Sequence, residues 1–223
     1  MQNSYKRIDA HLSSLGYCTR SEAKKFLRIF ELTVNDKRVF DTSIKAYHND
    51  IKVNNEVLDP EIITILLNKP SGFICSHNDA GSLIYALIPS RWNRRNPKIS
   101  TIGRLDVDTT GAIILTDDGA LNHKLSSPKS DVSKIYEATL AVPLNGDEKE
   151  IFASGELMLN GEKKPLLPAV LEVISETHVR LEICEGKYHQ VKRMFAAVGN
   201  RVLSLHRVSF GGFMVDDLKE GEY

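Results

Sequence analysis

Cysteine is scarce in this chain: Cys18, Cys75 and Cys184 stand far apart and are odd in number. No Cys-x-x-Cys pair occurs, which argues against both a disulfide framework and a zinc ribbon. It leaves three free thiols suited to a reducing compartment. Net charge is absent as well, with 29 Lys plus Arg against 29 Asp plus Glu. A uniformly basic nucleic-acid coat is therefore excluded, and any polyanion-binding face must come from uneven placement of charge. No apolar run approaches the roughly 20 residues of a membrane-spanning helix. The start, Met1 to Arg7, lacks the apolar core of a signal peptide, so a cytoplasmic protein without membrane contact is expected. Tryptophan occurs once, at Trp92, and no His/Cys cluster has metal-ligand spacing. There is no internal repeat and no low-complexity tract.

What the chain does have is length and apolar content for a packed core: 223 residues, 42% of them hydrophobic. That is enough for one large domain or for a small one plus a medium one. Its chemistry concentrates in Thr101-Ile-Gly-Arg-Leu-Asp-Val-Asp-Thr-Thr-Gly111, where Arg104, Asp106 and Asp108 fall within five positions. Gly103 and Gly111 permit tight turns, and Ala112–Thr116 reads as a buried strand. A carboxylate on a loop at the mouth of a sheet, beside an arginine, is a candidate active site. Spacing alone makes Asp108 a turn residue and leaves Asp106 open between turn and catalyst.

The flanking chain divides by pattern. Ile8, Leu12 and Leu15 have helical spacing, and Gly16 ends that helix. Thr19 or Ser21 can cap a second helix, running to about Phe30, with Ala23, Phe26, Leu27 and Phe30 on one face and Arg20, Lys24, Lys25 and Arg28 supplying positive charge. Strands are expected at Leu32–Val34 and Asp50–Val53, a linker at Leu58–Glu61, and a buried strand from Ile62 into the Asn68–Gly72 turn. From Arg91 to Arg104 there are five cations and no acid: either an ordinary surface loop or a phosphate-binding approach to the Asp106 loop. Asp117 or Asp118 can cap a helix through Leu125 that Ser127-Pro128 ends. Tyr136, Ala138, Leu140 and Val142 alternate onto one strand face, and Ala169–Ile174 with His178–Cys184 reads as a hairpin. Val191, Met194, Phe195 and Val198 form a packing helix face, with Lys192 and Arg193 pointing elsewhere.

Taken together, several of these stretches resemble a known family in that family's own order. They are Arg7-x-Asp9, Thr19-Arg-Ser-x-Ala23, Lys69-Pro-Ser-Gly72, Gly103-Arg-Leu-Asp106 with Asp108-Thr-Thr-Gly111, Lys134-Ile-Tyr136, Gly186-Lys-Tyr-His-Gln-Val-Lys-Arg-Met194 and Leu205-His-Arg207. The chain resembles the RsuA-type ribosomal RNA pseudouridine synthases from about Arg7 to Tyr223. The resemblance implies an α+β fold: a small α/β S4-like RNA-binding domain at 1–58, then a catalytic domain at 59–223 on a mainly antiparallel sheet. It implies isomerisation of one uridine in small-subunit (16S) ribosomal RNA. Asp106 is then the nucleophile, Lys192 its charge partner and Tyr136 the ring that stacks on the flipped base. Arg104 fills the vacated space, and His189, Gln190 and Arg193 face the substrate. Arg20, Lys24, Lys25 and Arg28 contact phosphate without reading bases. No redox change occurs and no group is imported, so no cofactor or metal is expected. Attack at ribose C1′, attack at uracil C6 and assisted elimination all suit such a carboxylate. The partner is ribosomal RNA or an assembly intermediate, met by a monomer. Alternatives are action on large-subunit (23S) RNA and a non-catalytic, S4-bearing ribosome assembly factor. A two-carboxylate glycosidase site is disfavoured by the flanking cations.

Overall fold

The computed structural model describes residues 3–127 and 130–223. It divides into two compact units: one gathers the chain up to Thr64 with Tyr85–Ser100 and Thr116–Gly119, the other holds Ile65–Ile84, Thr101–Leu115 and Ala120–Tyr223. Among the described residues no helix is long and apolar enough to cross a membrane.

The first unit runs β1 (Tyr5–Arg7), α1 (Ile8–Ser14), α2 (Ala23–Ile29), β2 (Leu32–Val34), β3 (Lys37–Arg38), β4 (Lys45–Tyr47), a 3-10 turn at His48–Asp50, β5 (Ile51–Val53) and β6 (Glu56–Val57). Strands β3-β2-β5-β6 form an antiparallel sheet, and β1 pairs with β4. The expected face of α1 is buried, with Ile8, Leu12 and Leu15 joining Phe26, Leu32, Ile51, Val53 and Leu58 in one core. Each such side chain is worth about 1.5–3 kcal/mol on burial. Gly16 turns with φ +81°, and a Cβ there would sit 2.4 Å from the Arg91 carbonyl oxygen, so no larger residue fits. Thr19 and Glu22 bond each other reciprocally one turn ahead of α2. The helix therefore starts at Ala23 and stops at Ile29, one residue short of the expected Phe30.

The Leu58–Glu61 stretch, expected as a linker, is pinned. Arg91 donates to Asp59 at 2.7 and 2.9 Å, and Trp92 Nε1 to the same carboxylate at 3.1 Å. Arg95 donates to Asp117 Oδ2 at 2.7 Å and to the carbonyls of Pro60 and Glu61, while Asp117 Oδ1 accepts the Ile63 N–H. Arg95 and Asp117 side chains are only 1% and 3% exposed. Two of the five cations between Arg91 and Arg104 are thus structural ion-pair members; Arg94, Lys98 and Arg104 stay exposed. Asp117 is likewise spent on Arg95 and Ile63 rather than on capping a helix.

The rest of the chain forms β7 (Thr64–Lys69), β8 (Ser100–Thr101), β9 (Thr110–Thr116), α3 (Gly119–Ser126), β10 (Lys134–Leu140), α4 (Glu148–Ala153), β11 (Val170–Val173), β12 (His178–Ile183), α5 (Gln190–Ala197), β13 (Val202–Phe210) and β14 (Phe213–Met214). The strand order is β11-β12-β10-β13-β9-β7, with β14 on β13 and β8 on β9. Pairing is antiparallel from β11 to β13, with a parallel step from β13 to β9. This is the expected α+β class with a mainly antiparallel sheet. Strand β10 alternates, burying Tyr136, Ala138 and Leu140; Val142 lies past its end and is exposed. Helix α5 buries Val191, Met194 and Phe195, and Phe195 meets Phe152 of α4 edge-on at 5.3 Å. Gly199 (φ +81°) follows as the expected stop, with Val198 in the cap rather than on the face. The other expected stop, Pro128, lies outside the described residues.

Candidate active site

The 102–109 loop is held from below by a buried cation. Lys69, at the end of β7, is fully buried and its ammonium donates to the carbonyls of Thr109 (2.8 Å), Pro70 (3.1 Å) and Val107 (3.3 Å). Burial pushes the Lys69 pKa down. Gly72 N–H adds a 2.7 Å bond to the Val107 carbonyl, and Thr109 N–H closes on the Asp106 carbonyl at 3.1 Å. Ile102 and Leu105 anchor the near side in the core. Asp106 is consequently set on a loop whose backbone is fixed on both sides, with a side chain 29% exposed. Arg104, beside it, is exposed.

The carboxylate faces the N-terminal turn of α5. Lys192 Nζ lies 3.2 Å from Asp106 Oδ2 and 2.7 Å from Asp108 Oδ1, so one ammonium bridges two carboxylates. His189 Nε2 lies 3.2 Å from Asp106 Oδ1. Burial opposes the Lys192 charge, but the bonds to Asp108 and Asp106 outweigh it and raise its pKa. The same bond holds the Asp108 carboxyl below its ordinary range. Asp108 is therefore part of the charge cluster, not the plain turn residue that its spacing suggested. His189 sits at φ 47°, ψ 36°, a left-handed conformation costing a non-glycine residue about 1–3 kcal/mol. Its ring stacks on the exposed Tyr188 ring at 3.8 Å between centroids and 20° between planes.

Tyr136 is buried on β10, and its hydroxyl accepts a 3.4 Å bond from Arg207 Nη1 of β13. Arg207 Nε donates to the Ala112 carbonyl at 2.7 Å. Gly111 pairs in register with Arg207, and a Cβ on it would lie 2.2 Å from the Arg207 carbonyl oxygen. That close parallel approach explains the glycine that ends the Asp106 motif.

Of the residues singled out by sequence, Asp106, Lys192 and His189 come together directly. Gln190 and Arg193 do not join them. Gln190 is buried, accepting the Lys187 N–H and donating to Glu185, while Arg193 binds Glu162, the Asn160 carbonyl and the Tyr188 carbonyl. Both hold the 185–189 turn that presents His189. Arg20, Lys24, Lys25 and Arg28 are exposed in the first unit, with Arg20 3.5 Å from Asp9. Sequence reasoning missed Lys69 and Arg207. Each stood inside a quoted motif, Lys69-Pro-Ser-Gly72 and Leu205-His-Arg207, whose only signal was a turn and a strand.

The acid loop clamped by the N-terminal turn of α5, on a mainly antiparallel sheet, is the site of a protein class that the comparisons identify. A family model described as RNA pseudouridylate synthase matches residues 63–197. Over 97% of the chain and 94% of the relative, identity is 49% to Ribosomal small subunit pseudouridine synthase A of Escherichia coli (strain K12) and 42% to the protein of that name from Pasteurella multocida (strain Pm70). A solved structure described as a pseudouridylate synthase matches with a TM-score of 0.68 at 41% identity, covering 97% of this chain and 94% of that one. The chain belongs to the RNA pseudouridylate synthase family, on its RsuA-type branch.

Proposed function

We propose that the chain isomerises one uridine of small-subunit (16S) ribosomal RNA to pseudouridine, with Asp106 as the nucleophile. The reaction breaks the bond from uracil N1 to ribose C1′, turns the base and rejoins it through C5. The C5 proton leaves and N1 takes one up, so no oxidant, reductant or imported group is required. The observation that carries this reading is the clamp on Asp106: His189 on one carboxylate oxygen and Lys192 on the other, the latter shared with Asp108. Lys192 supplies the countercharge for an anionic carboxylate as RNA displaces water from the site. The names of relatives 49% and 42% identical over nearly the whole chain support the small-subunit substrate.

The target base leaves its stack at a cost of a few kcal/mol. Arg104 fills the space left behind, and Tyr136 stacks on the extruded uracil. Residues 1–58 act as an S4-like RNA-binding domain ahead of a catalytic domain at 59–223. The exposed Arg20, Lys24, Lys25 and Arg28 offset the unstacking cost through phosphate contacts. All three clamp residues come from one unit of one chain, so a monomer suffices. A cytoplasmic enzyme fits both its substrate and its unbonded cysteines.

The test uses purified protein and ribosomal RNA tritiated at uracil C5, since the C5 proton is lost in the reaction. Wild type should release tritium from small-subunit RNA, and Asp106→Asn should release none while binding that RNA equally well. Release by the variant would remove the nucleophile assignment. Release from large-subunit RNA alone would reassign the substrate.

A further inference from the structure

The fold brings together three residues that no sequence spacing connects. One ring nitrogen of His11, one of His48 and a carboxylate oxygen of Glu61 lie within 4.8 Å of one another. We propose that these three side chains bind one divalent metal ion of the zinc class within the first unit.

The burial of the two imidazoles and their unpartnered nitrogens point to a ligand. His11 is fully buried, and its Nε2 lies 3.1 Å from the Ala46 carbonyl oxygen. A carbonyl only accepts, so Nε2 carries the ring proton and Nδ1 keeps its lone pair. That Nδ1 is buried and has no partner. His48, 6% exposed, likewise buries an unpartnered Nδ1. Each unsatisfied buried polar atom costs about 1–3 kcal/mol, and both belong to rings that bring a nitrogen within 4.8 Å of a Glu61 carboxylate oxygen. A cation takes one lone pair from each neutral imidazole, whichever nitrogen carries the ring proton, and is attracted by Glu61. An imidazole whose far N–H is tied to a backbone carbonyl is also the arrangement that orients histidine ligands.

Glu61 is oriented too. Its carboxylate accepts from Ser4 N at 3.0 Å and from the Ser4 hydroxyl, and Lys6 Nζ lies 3.3 Å away. Lys6 is the group an incoming cation must displace, and its partly exposed side chain can swing to water. Glu61 lines a cavity of about 320 Å³ together with Ser4, Lys6 and Asn96, which provides an entry path and room for a coordinated water. Two imidazole nitrogens and one carboxylate oxygen suit Zn²⁺ and its first-row neighbours rather than Mg²⁺ or Ca²⁺, which prefer all-oxygen shells. Donors of a tetrahedral zinc lie about 3.3 Å apart, so the three groups need to draw in by at most about 1.5 Å. The ligands come from α1, from the turn after β4 and from the segment beyond β6. The ion would therefore cross-link three segments of the first unit. It takes no part in the isomerisation, whose residues lie in the other unit.

The test is titration of chelator-stripped, full-length protein with Zn²⁺ by calorimetry and with Co²⁺ by visible absorption. The expected result is one ion per chain, the intense visible bands of four-coordinate Co²⁺, and a Tm that rises with Zn²⁺. His48→Gln and Glu61→Gln should each weaken Zn²⁺ binding at least about 100-fold with circular dichroism unchanged, because each removes a ligand and not merely its support. Glu61, at a cavity wall, is the variant to rely on if the buried His48→Gln does not fold. Absence of saturable Zn²⁺ binding by wild type would overturn the proposal, as would undiminished affinity in Glu61→Gln.

Discussion

Lys192→Met removes the ammonium that bridges both carboxylates of the active loop. In the native arrangement its nitrogen lies 3.2 Å from Asp106 and 2.7 Å from Asp108. With an effective dielectric constant near 20, a pair at such distances is worth about 5–6 kcal/mol before solvent screening. The side chain is 26% exposed, and screening plus the mutual repulsion already present between the two aspartates lower the usable part to about 3–4 kcal/mol. At about 1.4 kcal/mol per tenfold, the single-turnover rate should fall by roughly 10² to 10³. Lys192→Arg keeps the charge but reshapes its donors, and should lie within about tenfold of wild type. The assay is tritium release under enzyme excess, with RNA affinity measured in parallel across salt. If Lys192 acted only as a phosphate contact, affinity and its salt slope would fall and the single-turnover rate at saturation would not. A saturated Lys192→Met rate within a few fold of wild type would refute the countercharge argument.

Three further predictions rest on other features. Gly111→Ala places a methyl 2.2 Å from the Arg207 carbonyl oxygen at φ +104°; the strained backbone and overpacking should cost about 2–4 kcal/mol, and an unchanged Tm would contradict the close approach of β9 and β13. Arg95→Met alone should destabilise by about 3–5 kcal/mol, because it strands the buried Asp117, whereas Arg95→Met with Asp117→Leu should recover much of that loss in denaturant titration; equal losses would show that the pair is not coupled. The bridge should also show in pH dependence. Asp108, lowered from 3.8, contributes above that value and loses its contribution as pH falls through its folded pKa; Lys192, raised from 10.5, contributes below that value and loses it as pH rises through its folded pKa. The Tm difference between wild type and Lys192→Met should therefore stay level from about pH 5 to 9 and shrink outside it; a difference that varies within that window would contradict the assignment.

Some of this was legible in the residues alone. Val191, Met194 and Phe195 announce α5 because a helix repeats its buried face every three or four positions. Tyr136, Ala138 and Leu140 announce β10 for the corresponding reason at period two. What pattern does not carry is the fate of a charge. Arg91 and Arg95 read in sequence as part of a surface loop or a phosphate-binding approach and Lys69 as part of a turn, yet Arg95 and Lys69 are buried and Arg91 is tied to Asp59. Their partners are distant acids and backbone carbonyls that only the fold brings near. The same long-range contacts gather residues 85–100 and 116–119 with the N-terminal segment. Asp108 read as a turn residue because two positions on a loop do not fix a separation, and only the fold sets it on Lys192. His11 and His48 did so because ligands that meet through tertiary packing leave no local motif.

The central claim is that this chain makes pseudouridine in small-subunit RNA through Asp106. Its most direct test maps pseudouridine in both ribosomal RNAs, by carbodiimide labelling and primer extension, in cells lacking the gene and in the same cells complemented with wild type or Asp106→Asn. The account predicts one small-subunit site that is lost, returns with wild type and stays lost with the variant. Restoration by Asp106→Asn, or no site lost at all, would contradict it.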